Sequence, residues 1–267
     1  NFAKKSMNLR FICAQPAIKY YAWQLEVMLN NFMEMGINPN QVDIVCWKQT
    51  AEVPEEWQKL ANGYPARFFF YDDTRETRHY ISSIRPNILK QHFTKYPELE
   101  KEAILYHDCD IVFTKPINWE QFLQDNKWYG SDCRWYIGHD YIISKGEDIL
   151  DKMCEIVDID KQLVKDNELN AIGAQYLMKG IDYNFWDNVE NDCENLFREI
   201  NLLSNSKKLT VSYQALVKEK ELNKARRSNN VQNEKAIAYQ QLIKDFSTSD
   251  GISLKQKIKR YIYIIRE

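Results

Sequence analysis

The chain has 267 residues, of which 44% are hydrophobic and 28% charged, and its formal net charge is −2. This composition is typical of a globular protein with a sizeable core, and the near-zero charge indicates no particular class of partner. The charge is unevenly distributed, since residues 201–267 contain 14 Lys and Arg against 6 Asp and Glu, whereas the remainder carries a net −10. We therefore predict two domains: an acidic body over residues 1–204 and a basic region over 205–267.

The first two-thirds of the chain alternates between strand and helix patterns. Strands are predicted at Leu9–Ala14, at Gln41–Trp47, in "ARFFFYDD" and in "AILYHDCDIVF". Helices are predicted after the first strand, in "PEEWQKLANG", and from about Ser83 to Pro97. Such alternation predicts an α/β fold with a mostly parallel sheet covered by helices on both faces.

The later elements follow a less regular pattern. "NWEQFLQD" predicts a short helix, and "KWYGSDCRWYIGHDYIIS" predicts a strand, a loop and a second strand. Helices are predicted in "GEDILDKMCEIV" and "DKQLVKDNEL", and from about Phe185 to Leu203. The basic region that follows is helix-prone, so we expect a helical C-terminal appendage.

The cysteines and the apolar runs bear on the cellular compartment. The six cysteines include no Cys-x-x-Cys pair, which predicts buried free thiols rather than a disulfide framework. No apolar run approaches the ~18–20 residues that span a bilayer. The opening "NFAKKSMNLRF" is too short and too polar for a signal peptide. We therefore expect a cytoplasmic protein.

Two aspartates one residue apart follow the apolar start of the fourth predicted strand. Asp108 and Asp110 would point the same way on an extended chain, and two like charges so close repel each other unless something neutralises them. Carboxylate oxygens are natural ligands of Mn²⁺ and Mg²⁺, and such ions in turn hold phosphates. Ligands of parallel α/β sheets bind at the carboxyl ends of the strands, where this motif is expected. The pattern favours a metal and nucleotide-diphosphate site; local capping or ion pairing is the alternative.

These residues carry a family resemblance. "AILYHDCDIVFTKPI" resembles the Asp-x-Asp strand of GT-A fold glycosyltransferases, while "FICAQP" and "GAQYLMKG" are similar to their nucleotide-binding first loop and active-site segment. The resemblance spans roughly Leu9 to Ile200. It is nearest to small bacterial or phage glycosyltransferases that are distantly similar to plant hydroxyproline arabinosyltransferases and serine galactosyltransferases.

The resemblance implies a GT-A, Rossmann-like fold and metal-dependent transfer of a hexosyl or pentosyl group. The donor would be a nucleotide-diphospho-sugar, with UDP the favoured carrier, and the acceptor a glycan, a lipid-linked molecule or a protein. Asp108 and Asp110 would bind Mn²⁺ or Mg²⁺ and the diphosphate, with Asp110 the more direct ligand.

The resemblance also implies roles for other residues. Ala14, Gln15 and Pro16 would wrap the nucleotide base and ribose. Arg85 would reach the donor sugar or the diphosphate, unless it only caps a helix on the surface.

Two residues are expected on the sugar and acceptor side. Asp132, in "GSD", would orient sugar hydroxyls or act as a base, and Gln175, in "GAQ", would face the anomeric carbon. Either could instead be a turn former.

The chain departs from the family pattern in two respects. GT-A enzymes often use a C-terminal His as a further metal ligand, but no His lies beyond residue 139, so His139, Asp182 or water would have to substitute. The Trp-rich segment of the plant-like relatives is missing, since no Trp follows Trp186. A catalytically inactive scaffold is therefore an alternative function. A nucleotidyltransferase is less favoured, because no Gly-rich loop follows the first strand.

The end of the chain is basic and amphipathic. "LKQKIKRYIYIIRE" places lysines beside isoleucines and tyrosines, a composition that can lie on an anionic bilayer surface. Alternatively, its apolar side docks on the body of the protein. Nucleic acid is not an expected partner, because basic and aromatic residues do not interleave elsewhere in this region.

Overall fold

The computed structural model describes residues 7–208, with side chains described as far as Leu202. Within this range, six strands form one sheet: β1 Leu9–Pro16, β2 Val42–Trp47, β3 Arg67–Tyr71, β4 Ala103–His107, β5 Tyr129–Asp132 and β6 Ile172–Met178. Their order across the sheet is β3-β2-β1-β4-β6-β5. The first four strands are parallel, whereas β6 runs antiparallel to both β4 and β5.

Eight α-helices lie in the described range: α1 Lys19–Glu34, α2 Glu55–Gly63, α3 Ile84–Lys95, α4 Arg134–Ile137, α5 His139–Ile143, α6 Glu147–Ile156, α7 Lys161–Asp166 and α8 Tyr183–Lys208. Core residues of α1 and α2 pack on one face of the sheet, and those of α3 and α8 on the other. The expected α/β fold, with a mostly parallel sheet covered by helices, is confirmed and is compatible with a Rossmann-like fold.

Strand β1 explains why the pattern of the first strand is not alternating. Phe11 and Cys13 pack in the core on the α1 side, whereas Ile12 and Ala14 pack in the core on the α3 side. A strand buried on both faces is apolar at nearly every position, as central strands of parallel sheets are. Its position in the middle of the sheet follows from this pattern.

Three local predictions are wrong. The predicted fourth strand in "AILYHDCDIVF" is shorter than expected, because β4 ends at His107 and Cys109 and Asp110 lie in a turn. The expected helix in "NWEQFLQD" is a short 3-10 turn, Trp119–Phe122. The expected second strand after "GSD" is absent from this segment, because β5 ends at Asp132 and α4 and α5 follow. Short apolar runs do not distinguish strand from helix. Here Trp135 and Tyr141 are exposed rather than buried against a sheet.

A buried carboxylate of α8 holds the connection between β3 and α3. Glu194 accepts hydrogen bonds from the backbone N–H groups of His79 and Tyr80, at 2.9 and 3.2 Å. It also accepts one from the Ser83 hydroxyl at 2.5 Å, and the Arg75 guanidinium lies 3.9 Å away. A buried charge requires such partners to offset its lost hydration. The connection therefore takes its conformation partly from a helix far away in the sequence.

The structure bears on the expectations for the cysteines, for membrane-spanning helices and for the domain boundary. All six cysteines are free thiols, and only Cys193 is not fully buried. No helix in residues 7–208 is long and apolar enough to cross a lipid bilayer. Residues up to Leu203 belong to one compact unit. The predictions for the basic region 205–267, including its amphipathic end, lie outside the described residues apart from the last turn of α8.

Candidate functional site

The carboxyl end of β1 lies beside the aspartate motif. The ladder between β1 and β4 ends with Cys13 opposite His107, so Ala14, Gln15 and Pro16 run alongside the residues that follow β4. Ala14 and Gln15 are buried, and Pro16 is half-buried. Gln15 accepts a hydrogen bond from the Cys13 thiol at 3.3 Å, while its Nε2 has no partner among the described residues. A ligand at this edge would therefore contact Pro16 and the backbone rather than the buried side chains of Ala14 and Gln15.

The two aspartates of the motif point away from the core. Cys109, between them, is buried, and its thiol donates to Gln24 Oε1 at 3.3 Å. The Asp108 side chain is 42% exposed, and Asp110 is exposed. The buried thiol thus anchors the motif. The turn over Cys109 and Asp110, rather than an extended strand, leaves both carboxylates accessible just after β4.

Arg85 forms an ion pair with the first aspartate. Its Nη1 lies 3.1 Å from Asp108 Oδ1. Arg85 is in the first turn of α3, where the helix presents unpaired N–H groups and the positive end of its dipole. A guanidinium has no acceptor for those N–H groups, so it cannot cap this end. The Asp108 carboxylate accounts for the position of this cation, and Arg85 belongs to the site.

The charges at the site influence one another. Partial burial raises the pKa of Asp108; the Arg85 guanidinium opposes that shift, and the neighbouring Asp110 carboxylate adds to it. Burial works against the charged form of Arg85, but the nearby Tyr106 and Asp108 raise its pKa above the ordinary value overall. The pair of carboxylates therefore carries an unfavourable mutual repulsion that a bound cation reduces.

His107, the last residue of β4, supports the turn into the motif. Its Nδ1 donates to the backbone carbonyl of Asp108 at 2.8 Å, and its ring lies edge-on to Phe32. Complete burial lowers the pKa of His107 to about 4, so the ring is neutral at neutral pH. This histidine fixes the backbone under Asp108 and has no open face toward a ligand.

The ends of β5 and β6 bring a second polar group to the same edge. Since β4 and β5 both run antiparallel to β6, the carboxyl ends of β4 and β5 lie at one edge of the sheet. Gln175 accepts a hydrogen bond from the Ser131 hydroxyl at 2.7 Å. Tyr106 pairs with Tyr176, which places the preceding Gln175 level with the end of β4. This register is consistent with the expectation that Gln175 lies on the sugar side of the site.

Asp132 is held by an arginine. Arg134 Nε lies 2.8 Å from Oδ1 and Nη2 2.5 Å from Oδ2, a two-point contact between exposed side chains. These hydrogen bonds lower the pKa of Asp132 to about 2. A carboxylate with so low a pKa is a weak base near neutral pH. The geometry therefore favours hydroxyl orientation over proton abstraction for Asp132.

The backbone next to Gln175 is unusual. The pairing of β5 with β6 shifts register between Gly130 and Ser131, and Ala174 has φ = 61°. The left-handed conformation costs a non-glycine residue about 1–2 kcal/mol, and backbone strain of this kind is concentrated at functional sites. The irregularity thus lies directly beside Gln175 within β6.

The site offers a divalent cation only part of a coordination shell. In residues 7–208, no group of three or more His, Cys, Asp or Glu side chains could hold a metal ion. His139 is buried and bonds to Asp140, and Asp182 accepts from the Phe185 N–H at the start of α8. Neither joins the two aspartates in a described group of three metal-binding side chains. Asp108 and Asp110 are suitable hard oxygen donors for Mn²⁺ or Mg²⁺, provided that substrate phosphates and water complete the shell.

Two features of the site were not anticipated from the sequence. The first is the contact between Arg134 and Asp132. Arg134 lies two residues after Asp132, and this spacing was the sequence signal that could have indicated it. The contact between Glu194 and Ser83 joins residues too distant in the sequence for any local pattern to indicate it.

Comparison with protein-family models, with curated proteins and with solved structures found no match. The functional argument consequently rests on the residues at the sheet edge.

Proposed function

We propose that this protein is a glycosyltransferase that moves a sugar from a nucleotide-diphospho-sugar, with UDP the favoured carrier. One observation carries the proposal: Asp108 and Asp110 project from the end of the central strand β4, with Arg85 3.1 Å from the first of them. Two carboxylates and a guanidinium at the ligand-binding edge of a parallel sheet suit a diphosphate and its counter-ion. We extend the proposal to the GT-A version of the Rossmann-like fold, because the motif sits at this edge.

The residues would divide the work as follows. Arg85 would hydrogen-bond the diphosphate, since a guanidinium matches phosphate oxygens at two points. Asp108 and Asp110 would hold Mn²⁺ or Mg²⁺, which would supply positive charge to the departing diphosphate. Pro16 and the adjoining backbone would border the nucleotide.

The polar side chains of β5 and β6 would contact the sugar. Ser131 and Gln175 form a neutral hydrogen-bonded pair that can exchange partners with sugar hydroxyls. Asp132 and Arg134 would orient further hydroxyls of the donor or acceptor. Because Asp132 is a weak base in this contact, a retaining reaction, in which the donor phosphate itself assists, is the favoured stereochemistry.

The acceptor belongs to one of three classes: a glycan, a lipid-linked molecule or a protein. We also propose a cytoplasmic location with peripheral contact to the inner membrane surface through the basic end of the chain. Vesicle binding by the full chain, compared with a chain ending at residue 253, would test that contact.

Nucleotide binding tests the proposal directly. With Mn²⁺ present, UDP should raise the thermal unfolding temperature of the protein, because a ligand that binds only the folded state stabilises it by mass action. The Asp110→Asn variant should lose this response and keep the unfolding temperature of the unliganded protein. Asp158→Asn is a matched control, because Asp158 is exposed in the turn after α6 and its positive φ of 52° suits asparagine.

If no nucleoside diphosphate stabilises the wild-type protein with Mn²⁺ or Mg²⁺, the proposal is wrong. If UDP binds but no UDP-sugar is ever hydrolysed or transferred, a non-catalytic scaffold becomes the better description. The missing third metal ligand in the described residues is the observation that favours that second candidate.

A further inference from the structure

Arg85 already occupies the oxygen that a cation would use. Its Nη1 is 3.1 Å from Asp108 Oδ1, while Asp110, whose carboxylate is exposed, lies next along the motif. A divalent cation bound by both aspartates would approach this same carboxylate. A metal ion and a guanidinium on one carboxylate repel each other strongly where the site is partly shielded from water.

Charge balance gives the same result. Asp108, Asp110 and Arg85 together carry a charge of −1, so Arg85 already neutralises half of the carboxylate charge in the unliganded site. If Arg85 stayed on Asp108, an incoming cation would find only Asp110 fully available. If Arg85 leaves, both carboxylates are free, but the half-buried guanidinium then needs another anion. A diphosphate is such an anion and offers it two acceptor oxygens.

We infer that Arg85 and a divalent cation compete for the Asp108 carboxylate, and that Arg85 moves from Asp108 to the diphosphate when the metal and nucleotide bind together. The inference rests on the proposed function in taking Asp108 and Asp110 as the metal carboxylates. Arg85 thus has two partners, one after the other: the Asp108 carboxylate in the unliganded protein and the diphosphate in the complex. The inference also makes metal and diphosphate binding mutually favourable beyond their direct contact, because each removes an obstacle to the other.

Competition predicts effects of opposite sign on the two ligands. In the nucleotide-free protein, Arg85→Gln should bind Mn²⁺ about tenfold more tightly than wild type, since a competing charge is removed. Arg85→Lys should stay within about threefold of wild type, because it keeps the charge. Loss of the electron paramagnetic resonance signal of free Mn²⁺ measures both affinities without any activity assay.

The same variants should respond differently to nucleotide. With saturating Mn²⁺, Arg85→Gln should bind UDP about tenfold more weakly by calorimetry, while UMP, which lacks the second phosphate, should lose much less. Arg198→Gln is the matched control, because Arg198 contacts only Glu199 and Asn195 among the contacts described on the exposed surface of α8, and its loss makes the same change in net charge. Arg85→Met replaces Arg85→Gln if the latter does not fold.

The outcomes separate the inference from the proposed function. If Arg85→Gln binds Mn²⁺ no more tightly than wild type, including a case with no detectable binding by either protein, the competition is wrong. If the variant weakens both Mn²⁺ and UDP, Arg85 supports the metal rather than opposing it, and the inference is again wrong. If UDP fails to bind wild type under all metal conditions, the proposed function fails, while the Mn²⁺ comparison still decides the competition.

Discussion

Two aspartate–arginine pairs of similar geometry lie in opposite halves of the sheet and differ in their surroundings. In β2, Asp43 is 0% exposed and accepts two hydrogen bonds of 2.6 Å from Arg67. After β5, the Asp132 side chain is 56% exposed and accepts two from Arg134. The Asp43 carboxylate of the first pair is closed to any ligand, whereas the Asp132 carboxylate of the second can exchange its hydrogen bonds with one. Burial rather than pairing geometry distinguishes a structural pair from a candidate binding pair.

The exposed apolar side chains follow the same division. Between Leu9 and His107, three large apolar side chains are exposed, against seven between Trp128 and Met178. The parallel half is therefore a closed platform that holds the aspartate motif. The β5–β6 half exposes more apolar surface, and four helices, α4 to α7, lie between its two strands. Under the proposed function, this is the surface that an acceptor would contact.

The largest expected difference between the parallel half and the β5–β6 half is the loss of free energy of unfolding when a tryptophan is replaced by alanine. Trp57 of α2 is 0% exposed and donates from its indole to the Ile18 carbonyl, whereas Trp135 of α4 is 75% exposed. Trp57→Ala should lower the free energy of unfolding by about 3–5 kcal/mol, and Trp135→Ala should change it by less than about 0.5 kcal/mol. Urea unfolding followed by circular dichroism measures both. Equal losses would contradict the division into a closed and an open half.

The next effect is a pH dependence at the end of the closed half. Burial holds the pKa of His107 at about 4, against about 6.5 for an unfolded chain. Between these values only the unfolded state takes up the proton, so the stability contribution is complete above pH 6.5 and is lost as the pH falls to about 4. The expected loss is roughly 3 kcal/mol.

His107→Asn isolates that contribution, because asparagine can keep the donor to the Asp108 carbonyl but does not titrate. The free energy of unfolding, measured in EDTA between pH 4 and 6.5, should depend less steeply on pH in this variant than in wild type. His79→Asn, which removes an exposed imidazole, should keep the wild-type slope. An unchanged slope in His107→Asn would show that His107 is accessible to protons in the folded state.

The smallest effect concerns two residues with positive φ, one in each half. Gly36 after α1 has φ = 72°, and an added Cβ would meet no atom within 4 Å, so Gly36→Ala should lose about 1 kcal/mol through the backbone alone. Ala174 in β6 has φ = 61°, so Ala174→Gly should gain about 0.5–1 kcal/mol. Thermal unfolding of both variants gives the comparison. If Ala174→Gly is less stable than wild type, the contacts of the Ala174 methyl group stabilise the protein by more than its backbone strain destabilises it.

The sequence predicted the platform better than the rest of the site. Central strands such as β1 are apolar on both faces, so their pattern is strong. The two aspartates are accessible around a buried Cys109, but they lie on a turn rather than on the extended strand that was predicted. A role for Arg85 near the donor was implied by the family resemblance, with capping of a helix on the surface as the alternative. Its ion pair with Asp108 was not predicted, because it depends on the exact start of α3.

Predictions failed where the structure depends on irregular or distant contacts. The residues after Asp132 have apolar side chains at spacings that suit a strand, yet they form α4 and α5 with Trp135 exposed. The positive φ of Ala174 has no sequence signal, since alanine rarely adopts it. The suggested substitute ligands His139 and Asp182 form local contacts, and the described residues contain no group of three metal-binding side chains.

The hydrogen bonds from Glu194 of α8 to the β3–α3 connection have a consequence for the order of synthesis. Ser83 leaves the ribosome 111 residues before Glu194 does. At about 5–20 residues per second, the connection waits roughly 6–20 s for the carboxylate that completes it. During that interval the Arg75 guanidinium lacks the α8 carboxylate that later lies beside it. The segment just ahead of Arg85 is therefore among the last parts of the described chain to reach its final form on the ribosome.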